Sequence, residues 1–245
     1  MIDRLSAPSP IHPQPILLDP RERACAILTH VACDRAAAYR WLALGFYAPG
    51  DQLVAAVIEQ RLVNGVSTAI AWLGTDRHVF DEALQRLANC HALALPELEA
   101  EYQRLFSKGP DRVARHEAAY RWRDASDLLT NCGAIAWLLR LQYQQFDIAP
   151  LDERDDHIAV ELEFLSFLCE RESESWACGM TENARQLRRQ QKSFLDDHLG
   201  RWLPEFCQRV QARTESDIYH SLAFLADAWL RLEHGPNYLP PVTQA

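Results

Sequence analysis

Apolar residues recur every three or four positions over most of this chain, and alternation at period two is scarce. That pattern predicts helices and argues against a β-sandwich or barrel. Asp19-Pro20-Arg21-Glu22 reads as a helix start: Asp19 accepts from orphan amides, Pro20 suits the first helical position and Glu22 closes a capping box. The helix carries Ile27, Val31, Ala38 and Leu42 on one face and stops near Pro49-Gly50. A second helix is expected over 51–72 and a third over 79–91. Leu95-Pro96-Glu97 starts a fourth, which bears Tyr102, Leu105 and Phe106 and ends at Gly109-Pro110. After a polar stretch over 111–117, residues 120–146 read as mostly helical, with Ile135, Leu138 and Leu139 on the apolar side.

A charged connector, Pro150 to Asp156, precedes a strongly apolar helix in which Ile158, Leu162, Leu165 and Cys169 form one stripe beside Phe164 and Leu168. So wide a stripe implies deep burial. Leu195, Leu199, Trp202 and Phe206 form the next stripe, with a kink expected between Gly200 and Pro204. Thr214 to Asp217 can cap a last helix with Ile218, Leu222, Leu225, Trp229 and Leu232 on its buried side. The expectation is all-α: a single bundle of about eight to ten helices over 20–235, with a hinge near 150–157. A proline-rich mobile arm (1–19) and a C-terminal tail (236–245) flank it.

Composition narrows the function classes. The formal charge is −9, from 25 Lys and Arg against 34 Asp and Glu, and no basic cluster with interleaved aromatics appears, which argues against nucleic-acid binding. The seven cysteines are odd in number and lack C-x-x-C spacing, fitting neither a zinc ribbon nor a disulfide scaffold; reduced, mostly core cysteines are expected. No membrane span and no secretory leader are read from the sequence, so a cytoplasmic location is the expectation.

The richest polar cluster is Asp152, Glu153, Asp155, Asp156 and His157, followed by Glu161. Three readings stand side by side. Acidic side chains favour a positive helix N-terminus. An exposed histidine with carboxylates suits a loop that holds a cationic partner. His157 and Glu161 offer two metal ligands, without a second pair at ligand spacing. His116-Glu117, ahead of Tyr120 and Trp122, reads either as a solvated loop or as a groove edge. Helical tryptophans (Trp41, Trp72, Trp122, Trp137, Trp202 and Trp229) read mostly as core, and a few lining a groove would suit an amphipathic peptide. No phosphate loop, GxGxxG or GxSxG motif is present, so nothing argues for an enzyme or a cofactor of its own.

Three segments together resemble the TorD/DmsD family of redox-enzyme maturation chaperones, which includes the nitrate reductase chaperone NarJ. Glu101 to Pro110 is similar to the family's Tyr-x-x-Leu-Phe-x-Gly-Pro stretch, with one extra residue before the glycine. Glu153-Arg154-Asp155-Asp156-His157 resembles its Glu-Pro-x-Asp-His element, with Arg154 where proline is usual. Phe194 to Phe206 is similar to its Phe-Leu-x-x-His-Leu-x-x-Trp-Leu-Pro-x-Phe pattern. In the family's Pro-Pro-Tyr-Glu-Ser-x-Tyr stretch only Glu117 and Tyr120 match. The resemblance implies a TorD-like helical fold and a cytoplasmic chaperone that is no catalyst. It implies binding to the twin-arginine signal peptide and apo-form of a molybdoenzyme catalytic subunit, which assists molybdenum cofactor insertion and prevents premature export. Carried over residue by residue, it points to Asp156, His157 and Glu153 for peptide binding, with Tyr102, Phe106, Gly109, Pro110 and Tyr120 behind them. The alternatives are a metal- or nucleotide-dependent hydrolase and a generic helical adaptor; monomer and homodimer are both open.

Overall fold

The structure, a computed structural model, describes residues 19–72, 78–90, 93–107, 109–110, 112–121, 125–150 and 153–235. Residues 1–18 of the proline-rich arm, the tail, Asp152, Trp122 and the side chains of Trp72 and Cys132 lie outside what it describes. Eleven α-helices are described: α1 (Pro20–Phe46), α2 (Asp51–Ile58), α3 (Arg61–Trp72), α4 (His78–Ala88), α5 (Leu95–Tyr102), α6 (Ala118–Arg121), α7 (Ala125–Gln144), α8 (Ile158–Ala177), α9 (Thr181–Asp197), α10 (Leu203–Arg213) and α11 (Asp217–His234). No strand occurs among the described residues, only one isolated antiparallel bridge between His116 and His157.

The predicted capping box closes α1. The Asp19 carboxylate accepts from the Arg21 amide at 2.8 Å, and the Asp19 amide donates to Glu22 at 3.0 Å. The helix expected over 51–72 is two helices, because Gln60 takes a φ of 61°, which a right-handed helix cannot accommodate. No single described helix is long and apolar enough to cross a membrane; α2 and α3 pass that test only as a pair bent by 64°. α5 runs into a π-helical turn, Gln103–Ser107, and the chain reverses at Gly109, whose φ of 90° suits glycine.

α1 and α8 form the spine and run antiparallel. Ser173 Oγ donates to the Thr29 carbonyl at 2.9 Å, Ser166 Oγ to Ala36 at 2.8 Å, and Tyr47 Oη to Glu163 at 2.8 Å, so rising numbers on one helix meet falling numbers on the other. α9 packs on α8, α3 on α1, and α4 and α10 on α11. Leu42, Phe46, Leu165, Trp202, Phe206, Leu222 and Trp229 fill the interior between them. The stripes expected on α8 and on α11 from Ile218 to Trp229 are buried, and the predicted kink falls at a short 3₁₀ turn, Leu199–Arg201.

Three expectations are corrected. Ile27 is 52% exposed: residues 20–30 of α1 are mostly exposed, and full burial on this helix starts at Ala32. Leu138 and Trp137 face solvent on α7, which buries Ile135, Leu139 and Tyr143 instead. Cys169 and Cys207 are core, but Cys33 and Cys178 are exposed.

Gly200 sits where two elements nearly touch: a Cβ there would lie 2.4 Å from the Leu195 carbonyl oxygen and 2.9 Å from the His234 ring. Backbone cannot step aside as a flexible side chain does. Gly200→Ala is therefore expected to cost about 1–3 kcal/mol through overpacking, read from the urea midpoint at constant slope.

Candidate peptide-binding site

The connector before α8 is stitched to the 112–117 segment. The Ile158 amide donates to the Arg115 carbonyl at 2.9 Å and the Glu117 amide to the Asp156 carbonyl at 2.9 Å. Arg154, standing where the resembled family has proline, grips Asp156 with one edge of its guanidinium, Nε at 3.0 Å and Nη2 at 3.1 Å. Arg140 bonds Asp155 at 2.9 Å, and Tyr143 Oη donates to the Asp155 carbonyl at 2.9 Å. The segment expected to be a hinge is thus tied down from residue 154 onward.

Asp156 and His157 are both fully buried. This corrects the expectation of an exposed histidine meeting a partner directly. His157 caps α8: its Nδ1 accepts from the Ala159 amide at 3.2 Å, which leaves the proton on Nε2. Its ring stacks on Tyr47 with centroids 5.9 Å apart. The acidic residues of the connector do not cap the helix; the histidine after them does. Burial pushes the His157 imidazole down to about 3, and the charges of Arg115 and His116 add to it. Burial alone would raise the Asp156 carboxyl, but His116, Arg154 and the Ala118 amide outweigh it and hold it below the usual range.

Beneath the stitch lie two buried carboxyl groups that sequence reading did not single out as a pair. Glu117 faces His198 Nδ1 at 2.9 Å and Arg121 at 3.3 Å. Among the described residues Glu161 receives only the Trp202 indole N–H, at 3.3 Å, and its other oxygen has no partner. Burial, reinforced by the charge of Glu117, pushes the Glu161 carboxyl well above the ordinary range, which favours its neutral form. Being raised in the folded state, this group contributes stability that is complete below the usual value of 4.5 and is lost as pH rises through the folded value. Glu161→Gln keeps the acceptor for Trp202 and cannot ionise. It is expected to be more stable than the parent by about 1–3 kcal/mol in mild alkali, with a smaller difference at pH 5, in paired thermal melts. Among the described residues no three His, Cys, Asp or Glu side chains converge as metal ligands.

Beside the connector opens a groove of about 900 Å³. Its floor is apolar: Leu44 and Leu53 from the α1–α2 side, Val160, Phe164 and Phe167 from α8, with Tyr143, Ile148 and Pro150 forming a wall. Charged residues stand on its rim, Glu153 and Glu163 as well as Arg40 and Arg61. Glu153 is therefore the one leading sequence candidate that reaches the groove; Asp156 and His157 sit behind it and fix the connector.

Tyr102 and Phe106 are buried in an aromatic cluster with Tyr219, where their centroids lie 5.0 Å apart. Arg115 joins them to the connector: it bonds the Tyr102 hydroxyl, lies 5.0 Å above that ring and comes within 4.0 Å of Glu153. Tyr120 braces the 112–117 segment through a 2.7 Å bond to the Ala114 carbonyl and packs on Trp202. Gly109 lines a separate shallow depression with Pro96 and Arg104, and neither it nor the exposed Pro110 borders the groove. Sequence reasoning missed Trp41, Tyr47, Glu163 and Phe167 as groove residues. One signal for Glu163 was available: it is a solvated charge set inside a deeply buried helix, between buried Leu162 and Phe164.

The model of the nitrate reductase delta subunit family matches residues 74–208, more than half of the chain and the whole of the connector. The chain is 39% identical over 125 residues to the selenate reductase assembly chaperone protein of Thauera selenatis, covering 49% of this chain and 61% of that one. It is 36% identical over 126 residues to the chlorate reductase assembly chaperone protein of Ideonella dechloratans, covering 49% and 61%. It is 31% identical over 170 residues to the chaperone protein TorD of Vibrio vulnificus strain YJ016, covering 64% and 71%. The chain spans about six tenths of the length of the first two of these relatives. With its matched region running through the connector and the buried carboxyl pair, the chain belongs to the nitrate reductase delta subunit family, the group of redox-enzyme maturation chaperones that includes TorD.

Proposed function

We propose that this protein is a cytoplasmic assembly chaperone for the catalytic subunit of a molybdenum-containing oxidoreductase, and that it holds the subunit's twin-arginine signal peptide in the groove between α1, α2 and α8. The relatives named for selenate and chlorate reductase assembly support a reductase client. The observation that carries the reading is the groove itself. Its apolar floor suits the hydrophobic stretch of such a signal, and the carboxylates on its rim suit the arginines that precede that stretch. A net charge of −9 adds long-range attraction for a cationic leader, so association is fastest at low salt. Holding the leader keeps the apo-subunit from export until its cofactor is inserted. In this reading Asp156 and His157 act by keeping Glu153 in place rather than by touching the peptide.

Calorimetric titration with a twin-arginine leader tests this. Phe167→Asp places a charge on the groove floor, at a half-buried position beside Phe146, and a thermal melt of the variant checks that it still folds. Its affinity is expected to fall about tenfold or more, since burying a charge against an apolar segment costs over 1.4 kcal/mol. Equal affinity for both proteins would place the leader elsewhere.

A further inference from the structure

The groove is chemically polar along its length. Because α1 and α8 are antiparallel, Tyr47 and Glu163 share one end, while Arg40 and Glu170 pair at the other. Glu153 belongs to the Tyr47 end through Arg115 and the stacked Tyr47–His157 pair that closes the connector. Arg61 belongs to the Arg40 end, where it lies 6.0 Å above the Trp41 ring. About 10 Å of α1 separates Arg40 from Tyr47, at 1.5 Å per residue.

The two ends differ in how their charges are matched. Arg40 and Arg61 each face a carboxylate, Glu170 and Glu59, the latter at 2.8 Å, which leaves that end close to neutral. Glu163 is exposed and takes only the uncharged Tyr47 hydroxyl, with no cation paired to it among the described residues. Glu153, 28% exposed, has Arg115 only at 4.0 Å, and that arginine is already committed to the Tyr102 hydroxyl and two aromatic faces. One end thus carries two carboxylates with spare acceptor capacity, and the other carries charges that are already paired.

We propose that Glu163 and Glu153 together read the arginine pair, and that the leader lies in one direction only: arginines at the Tyr47 end, apolar run over Phe164 and Phe167 toward Trp41. This rests on the reading that the groove takes a twin-arginine leader, and it adds a specificity residue, Glu163, and a polarity. The arginine fork matches two open carboxylates in a way that two lysines cannot, so the site discriminates between them.

Two measurements on the full chain test it, each with a synthetic peptide that carries adjacent arginines ahead of an apolar run. In the first, Glu163→Arg is expected to bind this peptide about tenfold or more weakly than wild type, and to bind a peptide with one arginine replaced by glutamate better than wild type does. A structural defect would not be rescued by the charge of the ligand. In the second, a photo-crosslinker is placed at either end of the peptide. Adducts from the arginine end are expected near Tyr47 and the connector, and adducts from the apolar end near Trp41 and Phe167. Tight wild-type binding with no response to Glu163→Arg, or with adducts in the reverse order, overturns the polarity and leaves the groove as leader site. Absence of wild-type binding overturns both.

Discussion

Replacing Arg35 with leucine is expected to cost the fold about 3–5 kcal/mol, because it strands two buried carboxylates. The Arg35 guanidinium is 2% exposed and lies among helices α1, α8, α9 and α11. It bonds Glu172 at 3.0 Å, Gln191 at 2.7 Å and both oxygens of Glu233, which also accepts from Tyr39 at 3.2 Å. Glu172 is further held by the Trp176 indole at 3.1 Å and by the Gln191 amide at 2.9 Å. Arg188, which is half exposed, reaches Glu233 at 3.2 Å but does not contact Glu172, so Glu172 has no replacement cation. In a protein of this size the loss corresponds to a fall in Tm of roughly 10 °C. The triple replacement of Arg35, Glu172 and Glu233 by apolar residues of similar volume is expected to recover most of it, since it removes the uncompensated charges together. Thermal melts of the two variants check this. A single Arg35→Leu variant that melts with the parent would show that the four-helix junction is held by packing alone.

The second large effect is a loss of stability in mild acid that traces to His157. Its folded value is depressed from 6.5 to about 3, so between those limits the unfolded chain binds a proton that the folded chain refuses. The stability it contributes is therefore present above pH 6.5 and drains away as pH falls toward 3. Asp156, also depressed, adds a further loss below its usual value of 3.8. By pH 4.5 the loss that traces to His157 is about 2–3 kcal/mol, two units below 6.5 at 1.36 kcal/mol each. Asparagine at this position can cap α8 in the same way without titrating. His157→Asn is expected to match the parent at pH 7 within about 1 kcal/mol and to exceed it at pH 4.5, with urea unfolding at the two pH values as the measurement. Parallel pH profiles for the two proteins would assign the acid sensitivity to other groups.

Much of this architecture was legible because it is local. The capping box at Asp19, the apolar stripes of α8 and α11 and the break at Gly200 are written in neighbouring residues, and the structure has them where the periodicity puts them. The split of 51–72 was not legible, since it turns on a positive φ at Gln60 in a stretch that is helix-forming on both sides. Polar burial was the larger blind spot. Arg35 sits in an alanine-rich stretch that reads as an ordinary solvated turn, and its partners Glu172, Gln191 and Glu233 are more than a hundred residues away. Glu117 and Glu161 also lie on separate segments, and only the fold brings the two under one stitch.

The candidate site was legible in part. The connector was found from its charge, and Glu153 does line the groove. Asp156 and His157 stood out for the same reason yet lie inside, because the bridge to His116 turns their side chains away from solvent. Tyr47, Trp41 and Phe167 were hidden by their bland surroundings: an aromatic on a helix reads as core until the neighbouring helix is known to leave it half covered. A groove is a property of what is missing between elements, and spacing along one chain segment does not report it.

Hydrogen exchange with and without a twin-arginine leader tests the central claim most directly, because it asks only where the peptide sits. The account predicts new protection in the helix ends around Leu44 to Leu53 and Val160 to Phe167 and at Glu153, with α7 near Trp137 unchanged. Protection confined to the exposed face of α7, with the groove exchanging as before, would contradict it.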